Sequence, residues 1–275
     1  MTYYKNNDGP EPEPEPEPPE HDYVLAELVP DHVLENIFSR VDVPDLLACA
    51  LTCRTWELVL RNENNPVWRT HCKRKMPLRL WQSNILKNVP TFKSKLRAHY
   101  HAWNPKDCSR HIGIKKNGFT FVRLPFVQST DGVRGKIGYD YGRHAWEVIW
   151  EGQLGTSAVI GVSTKDALLH FPEYVALLGS DEEGWGWNVV SDQLLHGAKV
   201  VRDYPGGHPV PRVEVGDRVR IILDCEEHTL AFEKNHMFMG LAFTGLPKKK
   251  MYPTVSTVYG NTEVTMVYLG QPLDG

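Results

Sequence analysis

Four side chains near the middle of this 275-residue sequence could ligate a metal: His99, His101, Cys108 and His111. Zinc would demand neutral imidazoles and a thiolate at tetrahedral spacing, and these four match neither a Cys-x-x-Cys pair nor the usual paired-histidine spacing. They read as solvated histidines of a connecting segment, and no metal is expected. The five cysteines, Cys49, Cys53, Cys72, Cys108 and Cys225, are odd in number and scattered. That pattern fits reduced thiols in a cytosolic or nuclear compartment, not a disulfide framework. An enzyme that carries a thioester needs an activated thiolate, and none of the five sits in an activating motif. Cys49 and Cys53, four apart on an expected helix, read as packing residues. Phosphate-cradling loops, nucleophile elbows and His-Glu-x-x-His motifs are absent. No catalytic residue and no cofactor are expected.

The remaining chemical candidate is a basic stretch. From Arg69 to Lys116 the chain carries Arg69, Lys73, Arg74, Lys75, Arg79, Lys87, Lys93, Lys95, Arg97, Lys106, Arg110, Lys115 and Lys116 against one acid, Asp107. Trp81, Phe92, Tyr100 and Trp103 are interleaved, as a base-stacking surface would require. The whole chain is slightly acidic, at a formal charge of −3, and no nucleic-acid-binding fold signature accompanies the stretch. Nucleic acid is therefore the lesser alternative. The face is equally suited to an acidic tail or an acidic partner.

These residues must be positioned by elements, and the elements change along the chain. Residues 10–20 read PEPEPEPEPPE. Proline fixes φ and the carboxylates repel, so residues 1–22 are expected to form an acidic, disordered tail. From 23 to 71 the pattern is helical: Val33, Leu34, Ile37, Phe38 and Val41 recur at helical spacing. Asp42 and Pro44 open a second helix, with Leu46, Leu47, Ala50 and Leu51 on one face. Trp56, Val59 and Leu60 lie on a third, which should stop near Asn62–Pro66. Residues 72–102 read as a basic helical linker. From 103 to 270 the pattern is that of strands, expected at Phe119–Leu124, His144–Trp150, Ala158–Val162, Arg218–Asp224, Thr229–Glu233 and Glu263–Leu269. Trp146, Val148 and Trp150 alternate with Ala145, Glu147 and Ile149. No long helix separates these strands, so an antiparallel β-sandwich follows, and the fold class is α+β multidomain. No run of about 18 apolar residues occurs, so no membrane insertion is expected, and no secretory signal is visible.

Two stretches resemble known families. Leu28-Val29-Pro30-Asp31-His32-Val33-Leu34-Glu35-Asn36-Ile37-Phe38-Ser39-Arg40-Val41 is similar to the opening of an F-box. Asp45-Leu46-Leu47, Leu51-Thr52-Cys53-Arg54-Thr55-Trp56 and Pro66-Val67-Trp68 continue it. It departs where Val29 splits the usual Leu-Pro pair. The resemblance implies a Skp adaptor as partner. Three small helices bury little alone, so an exposed patch of Leu28, Pro30, Leu34, Ile37, Phe38 and Leu46 is expected to meet it.

The second resemblance is to SPRY (B30.2) domains. Gly142-Arg143-His144-Ala145-Trp146-Glu147-Val148, Trp185-Gly186-Trp187, Val215-Gly216-Asp217-Arg218-Val219 and Leu230-Ala231-Phe232 carry it. Trp103-Asn104-Pro105-Lys106-Asp107-Cys108-Ser109 and Gln128-Ser129-Thr130-Asp131-Gly132 bring it nearest to the SPRY/SOCS-box proteins. That group holds a short peptide in loops at one end of the sandwich. The matching positions here are Arg123, Pro125, Val127, Thr156, Tyr174, Val258, Tyr259 and Gly260. Val127 stands where the group has alanine and Tyr259 where it has tryptophan, so the preferred peptide is expected to differ. Arg123 offers a planar donor fork, and the two tyrosines offer amphipathic contact area. Together the stretches are similar to the synaptic F-box/SPRY receptors of ubiquitin ligases, a family linked to PHR-type RING ligases (Pam/Highwire/RPM). The resemblance implies a non-catalytic substrate-recognition subunit, cytoplasmic and synaptic, acting in synaptic growth and at the neuromuscular junction by promoting proteasomal degradation of its target. A SPRY interaction scaffold outside any ligase is the alternative.

Overall fold

The computed structural model describes residues 29–81, 83–125, 127–206 and 212–272. The Pro/Glu tail and Leu28 lie outside them. Among the described residues, helices come first: α1 (Asp31–Phe38), α2 (Leu46–Ala50), α3 (Arg54–Arg61), α4 (Pro66–Lys75), α5 (Leu78–Trp81) and α6 (Phe92–Tyr100). Short 3₁₀ turns at Val43–Asp45 and Asn84–Leu86 join them. Pro44 sits in the first of these turns, so the second expected helix begins as 3₁₀ and becomes α-helical only at Leu46. α4 starts where the Asn65 side chain accepts from the Trp68 N–H at 3.1 Å and Pro66 occupies the first turn. α6 starts with a capping box in which Thr91 and Ser94 satisfy each other's backbone N–H.

Two antiparallel sheets follow. One is ordered β1 (Trp103–Cys108), β4 (Thr130–Gly135), β14 (Tyr252–Thr257), β6 (Ala158–Ser163), β8 (Gly184–Asn188), β9 (Gln193–His196) and β10 (Lys199–Asp203), with β7 (His170–Phe171) also on β4. The other is ordered β13 (Met237–Thr244), β12 (Thr229–Lys234), β11 (Arg218–Asp224), β5 (Arg143–Glu151), β15 (Glu263–Gly270), β3 (Thr120–Arg123) and β2 (Ile112–Ile114). Trp146, Trp150, Trp187, Phe121 and Phe232 are fully buried between them. At roughly 1.5–3 kcal/mol for each large apolar side chain removed from water, they anchor the sandwich.

The expected alternation of β5 is present in direction but not in exposure. Trp146, Val148 and Trp150 enter the core. Glu147, on the other face, is only 1% exposed. Asn88 donates to its Oε2 at 2.7 Å, and Arg218 and Arg220 pair with it. Arg218 also donates to the Asn84 carbonyl at 2.7 Å. The segment between α5 and α6 is thus clamped onto the outer face of the sheet.

The helical unit and the sandwich consequently share one core, which runs from Leu34 through Cys72, Leu80, Leu96 and Trp103 to Tyr268. A boundary at 71/72 passes through α4, and residues 72–102 are packed between the two parts. His99 and His101 are not solvated as expected. Burial, helped by Lys136 and Lys75, pushes the His99 imidazole down to about 4. Burial, Arg97 and His144 do the same to His101, also to about 4. His101 stacks on Tyr268 at 4.3 Å and is bonded to the Tyr139 hydroxyl. Aromatic stacking replaces water around a neutral ring.

Candidate functional site

The residues singled out for binding fall on two surfaces. The first is on α1, α2 and α3. Leu34 and Phe38, four apart on α1, are each 1% exposed, and Leu46 is 2% exposed. Phe38 meets Trp56 edge-on at 5.2 Å, and its carbonyl is bonded by His71 at 3.1 Å. These three residues are core, which corrects the expected adaptor patch. Pro30 and Ile37 are exposed as expected. The apolar residues that reach solvent are the neighbouring stripe, Val33 and Ile37 on α1, with Leu47 on α2, Leu51 at its C-cap and Leu58 on α3. Leu47 and Leu51 are 69% and 78% exposed. Because α3 packs on both α1 and α2, the three stripes belong to one small unit. Sequence periodicity had placed Leu47 and Leu51 on a face with Leu46 but could not say which side of α2 was inward.

The second surface is one end of the sandwich. Strand register brings its parts together: Thr257, the last residue of β14, lies opposite both Asp131 of β4 and Ala158 of β6. Val258, Tyr259 and Gly260 therefore lie between the loop before β4 and the loop holding Thr156. Gly155, at φ +70°, would place a Cβ 3.0 Å from that of Tyr259, so a side chain in this turn would be crowded and strained. Arg123 reaches the same turn through its backbone, donating to the Thr262 carbonyl at 3.0 Å and accepting from the Asn261 N–H at 2.9 Å. Tyr174 is brought in by Thr130, whose hydroxyl bonds the Glu173 carbonyl and the Val175 N–H. All eight candidate positions thus lie at one end.

Their exposure divides them. Tyr174 and Tyr259 are 56% and 41% exposed, and Thr156 is also exposed. Pro125, Val127 and Gly260 are half-buried, and Val258 is buried. Arg123, expected to extend its fork to a ligand, is 1% exposed. Its Nε donates to Asp131 Oδ2 at 2.9 Å and its Nη2 to the Val127 and Ser129 carbonyls at 2.8 Å. The guanidinium is committed inward and shapes the loop that presents Val127. Leu124, next to it, is 46% exposed and adds apolar surface not singled out from sequence.

Asp131 is the centre of this end, and sequence reasoning missed its role although it lies in the Gln128–Gly132 run. It is fully buried. Ser109, His111 and His170 bond its Oδ1 at 2.5, 3.1 and 3.0 Å, and Ser129 bonds Oδ2 at 2.7 Å. Burial alone would raise its pKa, but donation from Ser109, Ser129 and His170, with the charge of Arg123, outweighs burial and holds it below the usual carboxylate range. Among the described residues, His111, Asp131 and His170 form the one trio of potential metal ligands within 4.8 Å of one another. The carboxylate's acceptor sites are already occupied by protein donors, so the trio acts as a hydrogen-bond hub that ties β4, β7 and the loop before β2 together.

The comparisons with known proteins agree with this architecture. Residues 26–74 match the F-box-like family and residues 143–270 match the SPRY domain family. F-box/SPRY domain-containing protein 1 of Drosophila melanogaster is 57% identical over 251 residues, covering 91% of this chain and 98% of that one. The protein of the same name in Drosophila willistoni is 58% identical over 251 residues, with the same coverage. Among solved structures, the SPRY domain of human HERC1 is similar at a TM-score of 0.48 and 19% identity, covering 60% of this chain and 97% of that one. With both domains matched in order and most of its length shared with these relatives, the chain belongs to the F-box/SPRY domain-containing protein 1 family.

Proposed function

We propose that this chain is the non-catalytic substrate receptor of a ubiquitin ligase. Its F-box engages a Skp adaptor through the exposed stripes of α1–α3, and the SPRY loops engage a short peptide of the target. The observation that carries the reading is the pairing, in one chain, of an F-box-like unit with solvent-facing leucines and a sandwich end with two exposed tyrosines over a buried Asp131 hub. Apolar side chains of this kind stay exposed where a partner covers them. Tyrosines with a rigid support are typical interface anchors. Thr156, Tyr174 and Tyr259 make the contacts; Pro125, Val127, Val258 and Gly260 shape the wall, and Arg123 holds the loop in place.

The cysteines favour a receptor over a thioester-forming enzyme. Burial pushes the Cys72 thiol up to about 12 and the Cys225 thiol up to about 11, and raises that of Cys108. Ubiquitin transfer then falls to a RING-bearing partner, and family membership points to a PHR-type RING ligase acting at synapses. No described helix is long and apolar enough to cross a membrane. The test is reconstitution. Purified chain with E1, E2 and ubiquitin should form no conjugates until adaptor and RING partner are added. Conjugation by the chain alone, abolished by replacing one cysteine with serine, would overturn the reading.

A further inference from the structure

The basic stretch has a structural counterpart that protein recognition at α1–α3 and at the loop end does not use. A groove of about 860 Å³ lies between α5 with its following 3₁₀ turn and the β2–β3 hairpin. Its apolar part is Leu80, Ile85 and Ile114, and its rim carries Arg79, Lys115 and Lys116, all exposed. The volume lies in the range of pockets that enclose a ligand of a few side chains. Of the thirteen basic residues between 69 and 116, Lys115 alone has a carboxylate partner among the described residues, Glu263 at 2.5 Å.

The chain contains the complement of this groove. Residues 10–20 alternate proline with five glutamates, Glu11, Glu13, Glu15, Glu17 and Glu20. The alternation sets apolar rings beside carboxylates along the segment, and proline lacks an N–H, so the segment offers chiefly acceptors, which is what lysine and arginine can satisfy. Eight residues lie between Glu20 and Val29, nine Cα steps with a reach of up to about 30 Å, twice the ~15 Å length of α4. We infer that the Pro/Glu segment 10–20 docks in this groove of its own chain, its prolines on Leu80, Ile85 and Ile114 and its glutamates on Arg79, Lys115 and Lys116. Docking there pairs these cations and competes with other polyanions for the groove. The groove lies apart from both proposed protein-binding surfaces, so this inference stands or falls separately from the receptor reading.

Carbodiimide cross-linking of the full-length chain, read by mass spectrometry, tests it. Cross-links from Glu11–Glu20 should fall on Lys115 and Lys116 and not on the equally exposed Lys248–Lys250. They should drop at least fivefold in 1 M salt and in Arg79→Glu, which changes the rim without removing a cross-linkable group. Arg79 is exposed, so the variant should melt with the parent. Cross-links spread evenly over all exposed lysines, or unchanged in Arg79→Glu, would overturn the proposal. So would a 20-nucleotide oligouridylate that binds the natural chain and a variant with the five glutamates changed to glutamine equally well.

Discussion

Replacing Leu47 and Leu51 together by alanine separates the proposed adaptor face from the core beneath it. Leu47 on α2 and Leu51 at its C-cap have 69% and 78% of their surface in water. Full burial of a leucine is worth roughly 1.5–3 kcal/mol. Scaled by exposure, the two offer about 2–4 kcal/mol to a partner that covers them. At 1.4 kcal/mol per decade, adaptor binding should weaken roughly 30- to 700-fold. The fold should scarcely notice, because little packing is lost. Leu34→Ala makes the opposite case. Leu34 is 1% exposed under Phe38 and its neighbours, and a buried Leu→Ala change costs about 2–5 kcal/mol through transfer and cavity terms. That corresponds to a melting point lower by roughly 5–15 °C. The assay is titration calorimetry of each full-length variant with purified adaptor, beside a thermal melt. If Leu47→Ala/Leu51→Ala melts with the parent and binds the adaptor undiminished, the adaptor does not use α2 and the face is misplaced.

Further outcomes follow from the sandwich. Tyr174→Ala and Tyr259→Ala should each weaken target-peptide binding about thirtyfold, since aromatic anchors often cost ~2 kcal/mol, while adaptor binding measured on the same protein stays constant. Arg123→Ala should lower stability by about 3–5 kcal/mol by leaving Asp131 buried without its charge partner. Arg123→Lys should not restore it, because an ammonium cannot reproduce the fork to Asp131, Val127 and Ser129. Denaturant titrations at pH 7 and pH 5 should differ by about 2 kcal/mol for each of His99 and His101. Their folded values near 4 lie below an unfolded value of about 6.5, so the unfolded chain takes up protons first and stability is lost as pH falls through that window. His71 and His144, also lowered by burial, act in the same direction. A flat profile between pH 7 and 5 would show that these rings are hydrated.

Much of the architecture was legible because it rests on local pattern. The six strands expected from β-branched and aromatic runs are β3, β5, β6, β11, β12 and β15, shifted by at most a residue at their ends. Two of the strands that escaped notice carry no local signal of their own. β4, Thr130–Gly135, carries two glycines yet is buried throughout, because β1 and β14 pair with its two edges. β8, Gly184–Asn188, is likewise held by β6 and β9. Glycine weakens an isolated strand, but neighbours that approach closely require it.

The order of the two domains, the spacing of their motifs and the residues that share a helix face were determined by the sequence alone, since periodicity follows from backbone geometry. Tertiary structure decided which of those faces is inside. It sent Leu34, Phe38 and Leu46 into the core and left Ile37, Leu47 and Leu51 in water. It turned Arg123 inward to Asp131 and packed the half-buried His99 and His101 against the sandwich. Each of these outcomes depends on partners distant in the chain. Burial and charge pairing are set by what folds on top of a residue, and no window of neighbouring sequence contains that information.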